Sequence, residues 1–120
     1  MANAIAWTEI PATDLEKARV FYGKILQADL AISEMGPNPA VFLPGSDGSS
    51  VSGHLYPGKP AAAGTGNTIH FSAVGPLEDT MNRIKEAGGS VESPVIEIPS
   101  GKFFYAVDPD GNSIGFFEAK

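Results

Sequence analysis

One strand, one helix and three further strands are written twice along this chain, and that repeat constrains its fold more than any other feature. In the first copy, Ala4 to Ile10 alternates as a strand and Pro11 closes it. Thr13-Asp14-Leu15-Glu16 then reads as a capping box opening a helix from Asp14 to Leu26, whose apolar stripe is Ala18, Phe21, Tyr22, Ile25 and Leu26. Strands are expected at Asp29 to Glu34, Ala40 to Leu43 and Ser50 to Tyr56, separated by Gly36-Pro37-Asn38-Pro39 and Pro44-Gly45-Ser46-Asp47-Gly48. Pro57 to Asn67, rich in Pro, Gly and Ala, carries little that packs and reads as a connector.

The pattern then restarts. Thr68 to Val74 is a strand, Pro76 sits at the first position of a helix with the stripe Leu77, Met81 and Ile84, and Gly88-Gly89 ends that helix. Strands follow at Ser90 to Ile98, Lys102 to Val107 and Ser113 to Glu118, the last two joined by the turn Asp108-Pro109-Asp110-Gly111-Asn112. Each copy is too short to bury its own sheet face, so two modules must pack together: residues 1–57 and 67–120, with 58–66 between them. Aligned on the helix starts, the copies set Trp7 opposite Ile69 and Glu9 opposite Phe71.

Composition removes several classes of function. A length of 120 residues makes one domain, and the absence of cysteine removes disulfides, thiolate metal sites and Cys nucleophiles. It fits a reducing compartment, and the expected location is cytoplasmic. A net charge of -6, with eight dispersed Lys and Arg, offers no basic stripe to nucleic acid. The N-terminal apolar run is broken by Thr8 and Glu9 and lacks a basic flank, so neither a signal peptide nor a membrane span is expected. Gly64-Thr65-Gly66 lacks the Gly-Lys-Ser/Thr of a phosphate cradle, and no Ser sits in a Gly-x-Ser-x-Gly elbow.

Glu9-Ile10-Pro11, Asp14-Leu15-Glu16-Lys17-Ala18, Phe21-Tyr22, Ala87-Gly88-Gly89 and Asp108-Pro109-Asp110-Gly111-Asn112 with Ile114-Gly115 fall in an order that resembles the vicinal oxygen chelate superfamily. That group contains glyoxalase I, bleomycin-resistance proteins, fosfomycin-resistance enzymes and extradiol dioxygenases. The resemblance spans essentially the whole chain. It implies an α+β fold of two βαβββ modules paired into an open, incomplete mixed-sheet barrel, a small molecule bound in the concave face, and a homodimer.

The resemblance also implies, in catalytic members, a divalent metal held by His and Glu or Gln from the first and last strands of each module. Counted from the matching motifs, those positions fall on Trp7, Gly53, Ile69 and Gly115, none of which ligates through its side chain. The expectation is therefore no metal at the family positions. An alternative set, Glu9, His54, His70 and Glu118, has the chemistry for Zn, Ni, Mn or Fe. Glu9 keeps the face of the family positions, whereas His54, His70 and Glu118 are displaced by odd numbers of residues and should turn to the other face.

Glu9 is also the candidate general base, beside apolar neighbours such as Trp7 and Phe116 that would raise its pKa. With Glu9, the residues expected to line the ligand cavity are Trp7, Phe42, Phe71, Phe104 and Phe116. Two functions follow. One is a metal-free protein that binds a small, partly hydrophobic molecule. The other is an enzyme, either a glyoxalase-type metal-dependent lyase, isomerase or dioxygenase, or a metal-free catalyst using Glu9.

Overall fold

The computed structural model describes residues 5–34, 36–45 and 51–120. In chain order the elements are β1 (Thr8–Ala12), α1 (Leu15–Leu26), β2 (Ile32–Ser33), β3 (Ala40–Pro44), β4 (Val51–Pro57), β5 (Ile69–Ser72), α2 (Leu77–Glu86), β6 (Ser90–Val91), β7 (Ile96–Ile98), β8 (Gly101–Val107) and β9 (Ser113–Ala119). The expected strand starts at Ala4 and Ser50, and the turn at Ser46 to Gly48, lie outside the described residues.

The first copy folds as a βαβββ unit and the second follows the same plan with its third segment split into β6 and β7, in an α+β arrangement. β1, β4, β3 and β2 form one sheet in that order; β5, β9, β8 and β6 form the other, with β7 also paired to β8. In each sheet the first and last strands of the unit run parallel, β1 with β4 and β5 with β9, and the remaining pairs are antiparallel. The long strand expected at Ser90 to Ile98 is two short ones, interrupted by Ser93-Pro94, because Pro cannot donate to a ladder. Pro11 does not end β1 but lies inside it, which an edge strand tolerates.

The helix caps also differ in detail from expectation. Asp14, not Thr13, is the N-cap of α1 and accepts from the Lys17 amide, which leaves the Thr13 hydroxyl free to bind Asp110. Pro76 caps α2 with extended backbone rather than sitting inside it. Gly88 takes the expected left-handed conformation, φ 95°, after α2.

One core serves both modules. Helix α1 lays Ala18, Phe21, Tyr22 and Ile25 on the face of the first sheet that carries Ile10, Ala12, Val41, Leu43 and Leu55. Tyr22 then continues into the second sheet: its ring lies 5.6 Å from Phe71, which stacks on Phe116 at 5.4 Å, which stacks on Phe104 at 5.6 Å. Leu77, Thr80 and Ile84 of α2 close this side. Each sheet thus has a helix-covered, apolar face, and among the described residues no helix covers the opposite face.

The turn between β8 and β9 fastens one module to the other. Buried Asp108 accepts from the Tyr22 hydroxyl at 2.6 Å and from Asn112 Nδ2 at 2.9 Å on one oxygen, and from the Asp110 and Asn112 amides, each 2.9 Å, on the other. Asn112 Nδ2 also donates to the Pro11 carbonyl at 2.8 Å, and Asp110 accepts from both the amide and hydroxyl of Thr13. Pro11, Thr13 and Tyr22 all belong to the first module, so the Asp108-Pro109-Asp110-Gly111-Asn112 motif has a structural task that its turn chemistry alone does not reveal.

Candidate functional site

Side chains alternate across a strand, so burial of one set identifies the helix-free face. On β1 the buried Ile10 and Ala12 leave Trp7, Glu9 and Pro11 on the open side. On β4 the buried Gly53 and Leu55 leave His54 and Tyr56 there, and on β3 Phe42 joins them. The register Glu9↔His54 and Phe42↔His54 makes the imidazole the centre of this face.

Around it the rings form a continuous cluster. His54 lies 5.7 Å from Trp7, 6.1 Å from Phe42 and 6.2 Å from Tyr56, and Trp7 meets Phe42 edge-on at 6.5 Å. Trp7 Nε1–H donates to His54 Nδ1 at 2.9 Å. An indole N–H can only donate, so Nδ1 is bare and the proton of the neutral ring sits on Nε2, which faces Glu9 Oε1 at 3.3 Å. Trp7 and Phe42 remain 44% and 45% exposed. Glu9 also borders a cleft of about 240 Å³ between the sheets, lined by Ile10, Asn67, Ile69, Asn112 and Ile114 among others.

The second sheet repeats the arrangement with different residues. Here His70 lies on the open face between Phe103 at 5.4 Å and Tyr105 at 5.6 Å. It rests on Gly115, where an added Cβ would stand 2.4 Å from the imidazole. Partial burial lowers the His70 pKa from its ordinary 6.5, because desolvation penalises the charged ring.

Several expected positions change sides. Phe104 and Phe116 are fully buried in the helix-covered core and Phe71 is packed between Tyr22 and Phe116, so none of the three lines the open face. Gly53 and Ile69, counted as inward family positions, lie on the helix-covered side, while His54 and His70 lie on the open side with Trp7 and Gly115. Phe104 and Phe116 are inward because their neighbours Tyr105 and Gly115 lie on the open side. For Gly53, Ile69 and Phe71, the positions carried from one copy to the other, the cause is one residue. Leu15 opens α1 seven positions after Thr8, where the parallel ladder of the first module begins, and Leu77 opens α2 eight after the equivalent Ile69. Anchoring the repeat on its helices therefore slips the strands by one and exchanges their faces. Paired by ladder, Glu9 corresponds to His70 and His54 to Gly115. His54, Tyr56, Phe103 and Tyr105 were not in the expected ligand wall; alternation in β4 and β8 marked them as a set, but not as the open set.

A divalent ion would need three or more converging ligands, and no such group of His, Asp or Glu occurs among the described residues. Glu9 and His54 meet on one sheet. His70 lies on the other, and Glu118 alternates with Phe116 toward the covered side, 3.9 Å from Lys102. His54 Nδ1 is occupied by Trp7. Within one chain these residues do not fit the family's metal.

The profile of the Glyoxalase/Bleomycin resistance protein/Dioxygenase superfamily matches residues 4–116, and the chain belongs to that family. No curated protein sequence matches it. Among solved structures, a hypothetical protein from S. aureus superposes with a TM-score of 0.73 at 20% identity, covering 99% of this chain and 95% of the other. FosX, a fosfomycin resistance protein from Listeria monocytogenes, gives 0.74 at 18%, covering 100% and 94%. TnmS3, an antibiotic binding protein from Streptomyces sp., gives 0.64 at 22%, covering 99% and 98%. At such identities the likeness establishes the fold, which hosts unrelated chemistries. No helix among the described residues is long and apolar enough to cross a membrane.

Proposed function

We propose that the protein binds a small, partly hydrophobic molecule on the helix-free face of its sheets, without the family's metal, and does so as a homodimer in the cytoplasm. The observation that carries this reading is the cluster Trp7, Phe42, His54 and Tyr56, gathered around one carboxylate and left open to water. Rings on a surface cost hydration unless something covers them, and a planar ligand covers them well. The second sheet supports the homodimer. It too leaves rings open, with Tyr105 38% exposed beside His70 and Phe103, so two copies can face one sheet with the other and enclose a cavity between chains. An antibiotic-binding relative in the same fold is consistent with ligand capture.

Metal-dependent turnover of the glyoxalase type is the competing reading. The test is elemental analysis of purified protein after incubation with Zn, Ni, Mn or Fe, paired with sedimentation across a concentration series. We expect substoichiometric metal and a dimer. Stoichiometric metal that is lost in His54→Ala or His70→Ala overturns the metal-free reading, and a monomer at all concentrations overturns the dimer. If turnover is found, Glu9→Gln with full activity removes Glu9 as its base.

A further inference from the structure

Trp7 stands one residue before the register of β1 begins, and among the described residues it is not itself paired in a ladder. Among the described residues, the face itself holds the side chain, through one hydrogen bond to His54 Nδ1, an edge contact with Phe42 and a tilted contact with the imidazole. Nearly half of the indole remains in water. Turning Trp7 aside would uncover a bare nitrogen acceptor between the rings of Phe42 and Tyr56, with the Glu9 carboxylate next to it.

We propose that the Trp7 indole is an internal stand-in for the ligand. The site it covers accepts planar aromatic molecules that carry an in-plane N–H or O–H donor, and such a molecule displaces Trp7 and takes over the bond to His54 Nδ1. The chemistry of the occupant follows from what the indole satisfies: a flat apolar ring against Phe42, and a donor placed at its edge toward a nitrogen that can only accept while its partner nitrogen carries the proton. A ring without that donor would leave Nδ1 unpaired under an apolar cover, at the cost of about one hydrogen bond. This inference rests on the ligand-binding reading above and narrows it to a chemical class.

Indole and 1-methylindole differ at the relevant atom and are the probes. Titrated into the full-length protein and followed by NMR at the Trp7 indole N–H and the His54 ring nitrogens, indole is expected to bind roughly fivefold tighter than 1-methylindole, the worth of one net hydrogen bond. It should also shift both Trp7 and His54 signals. Trp7→Ala, and Trp7→Phe as the variant that keeps a ring, should bind indole more tightly than the parent, because the internal competitor is gone. His54→Phe should abolish the preference between the probes. Equal affinities, or selective binding that leaves the Trp7–His54 signals unmoved, overturn this inference and leave the ligand-binding reading in place. Failure of both probes to bind the parent and both Trp7 variants overturns the two together.

Discussion

Removal of the Asp108 carboxylate tests whether the turn motif is a fastener rather than part of a reactive site. In Asp108→Ala the Tyr22 hydroxyl, on a side chain only 1% exposed, loses its acceptor, and the Asp110 and Asn112 amides lose theirs. Asn112 Nδ2 loses one of its two acceptors among the described residues and keeps Pro11 O. Hydrogen bonds to a charged acceptor are worth ~1.5–3 kcal/mol each, and amides at a turn are partly rehydrated, so the net loss should be about 3–5 kcal/mol. That is a large part of a total stability of roughly 5–15 kcal/mol. In urea, with a slope of about 2 kcal/mol/M, the unfolding midpoint should fall by about 1.5–2.5 M at unchanged slope. Tyr22→Phe alone should cost about 1.5–3 kcal/mol, and a cycle of Tyr22→Phe with Asp108→Asn should show coupling of about 1 kcal/mol or more. A loss under about 1 kcal/mol in Asp108→Ala, or independent effects in the cycle, would refute the latch between modules.

Other outcomes follow from the same geometry. Burial and the neighbouring Asp108 raise the Tyr22 phenol well above its ordinary 10.0, so the fold favours the protonated form. Stability from this group is complete below that ordinary value and is lost as pH rises beyond it, since the unfolded chain ionises first; Tyr22→Phe should flatten the alkaline limb of the urea midpoint against pH. His70 has the opposite sign: its pKa is lowered from 6.5, so its share of stability is present above 6.5 and lost as pH falls, and His70→Gln should flatten the acid limb. Gly53→Ala places a Cβ 2.4 Å from the Thr8 carbonyl oxygen, a backbone clash that should cost about 1–3 kcal/mol and speed amide exchange in β1. Gly115→Ala meets the movable His70 ring first and should be milder, visible chiefly as displaced His70 signals in NMR; a larger loss than in Gly53→Ala would show that the ring is held rigidly.

What the amino-acid order settled by itself was the repeat, the two helices and their apolar stripes, the turn before the closing strand, and the family. These rest on local chemistry: periodicity, Pro and Gly punctuation, and capping. The face each strand turns to its helix was decided only by the tertiary structure. A single additional residue between β5 and α2 shifts every strand position counted from that helix, and one step in a strand exchanges covered and open sides. Hence Gly53, Ile69 and Phe71 turned to the covered side and His54 came to rest under Trp7 beside Glu9, while Phe104 and Phe116, each one step from open-facing Tyr105 and Gly115, went into the core. The pairing of Asp108 with Tyr22 across 86 positions was equally out of reach, because nothing near either residue in the chain specifies the other; only the packing of one module on its twin brings them together.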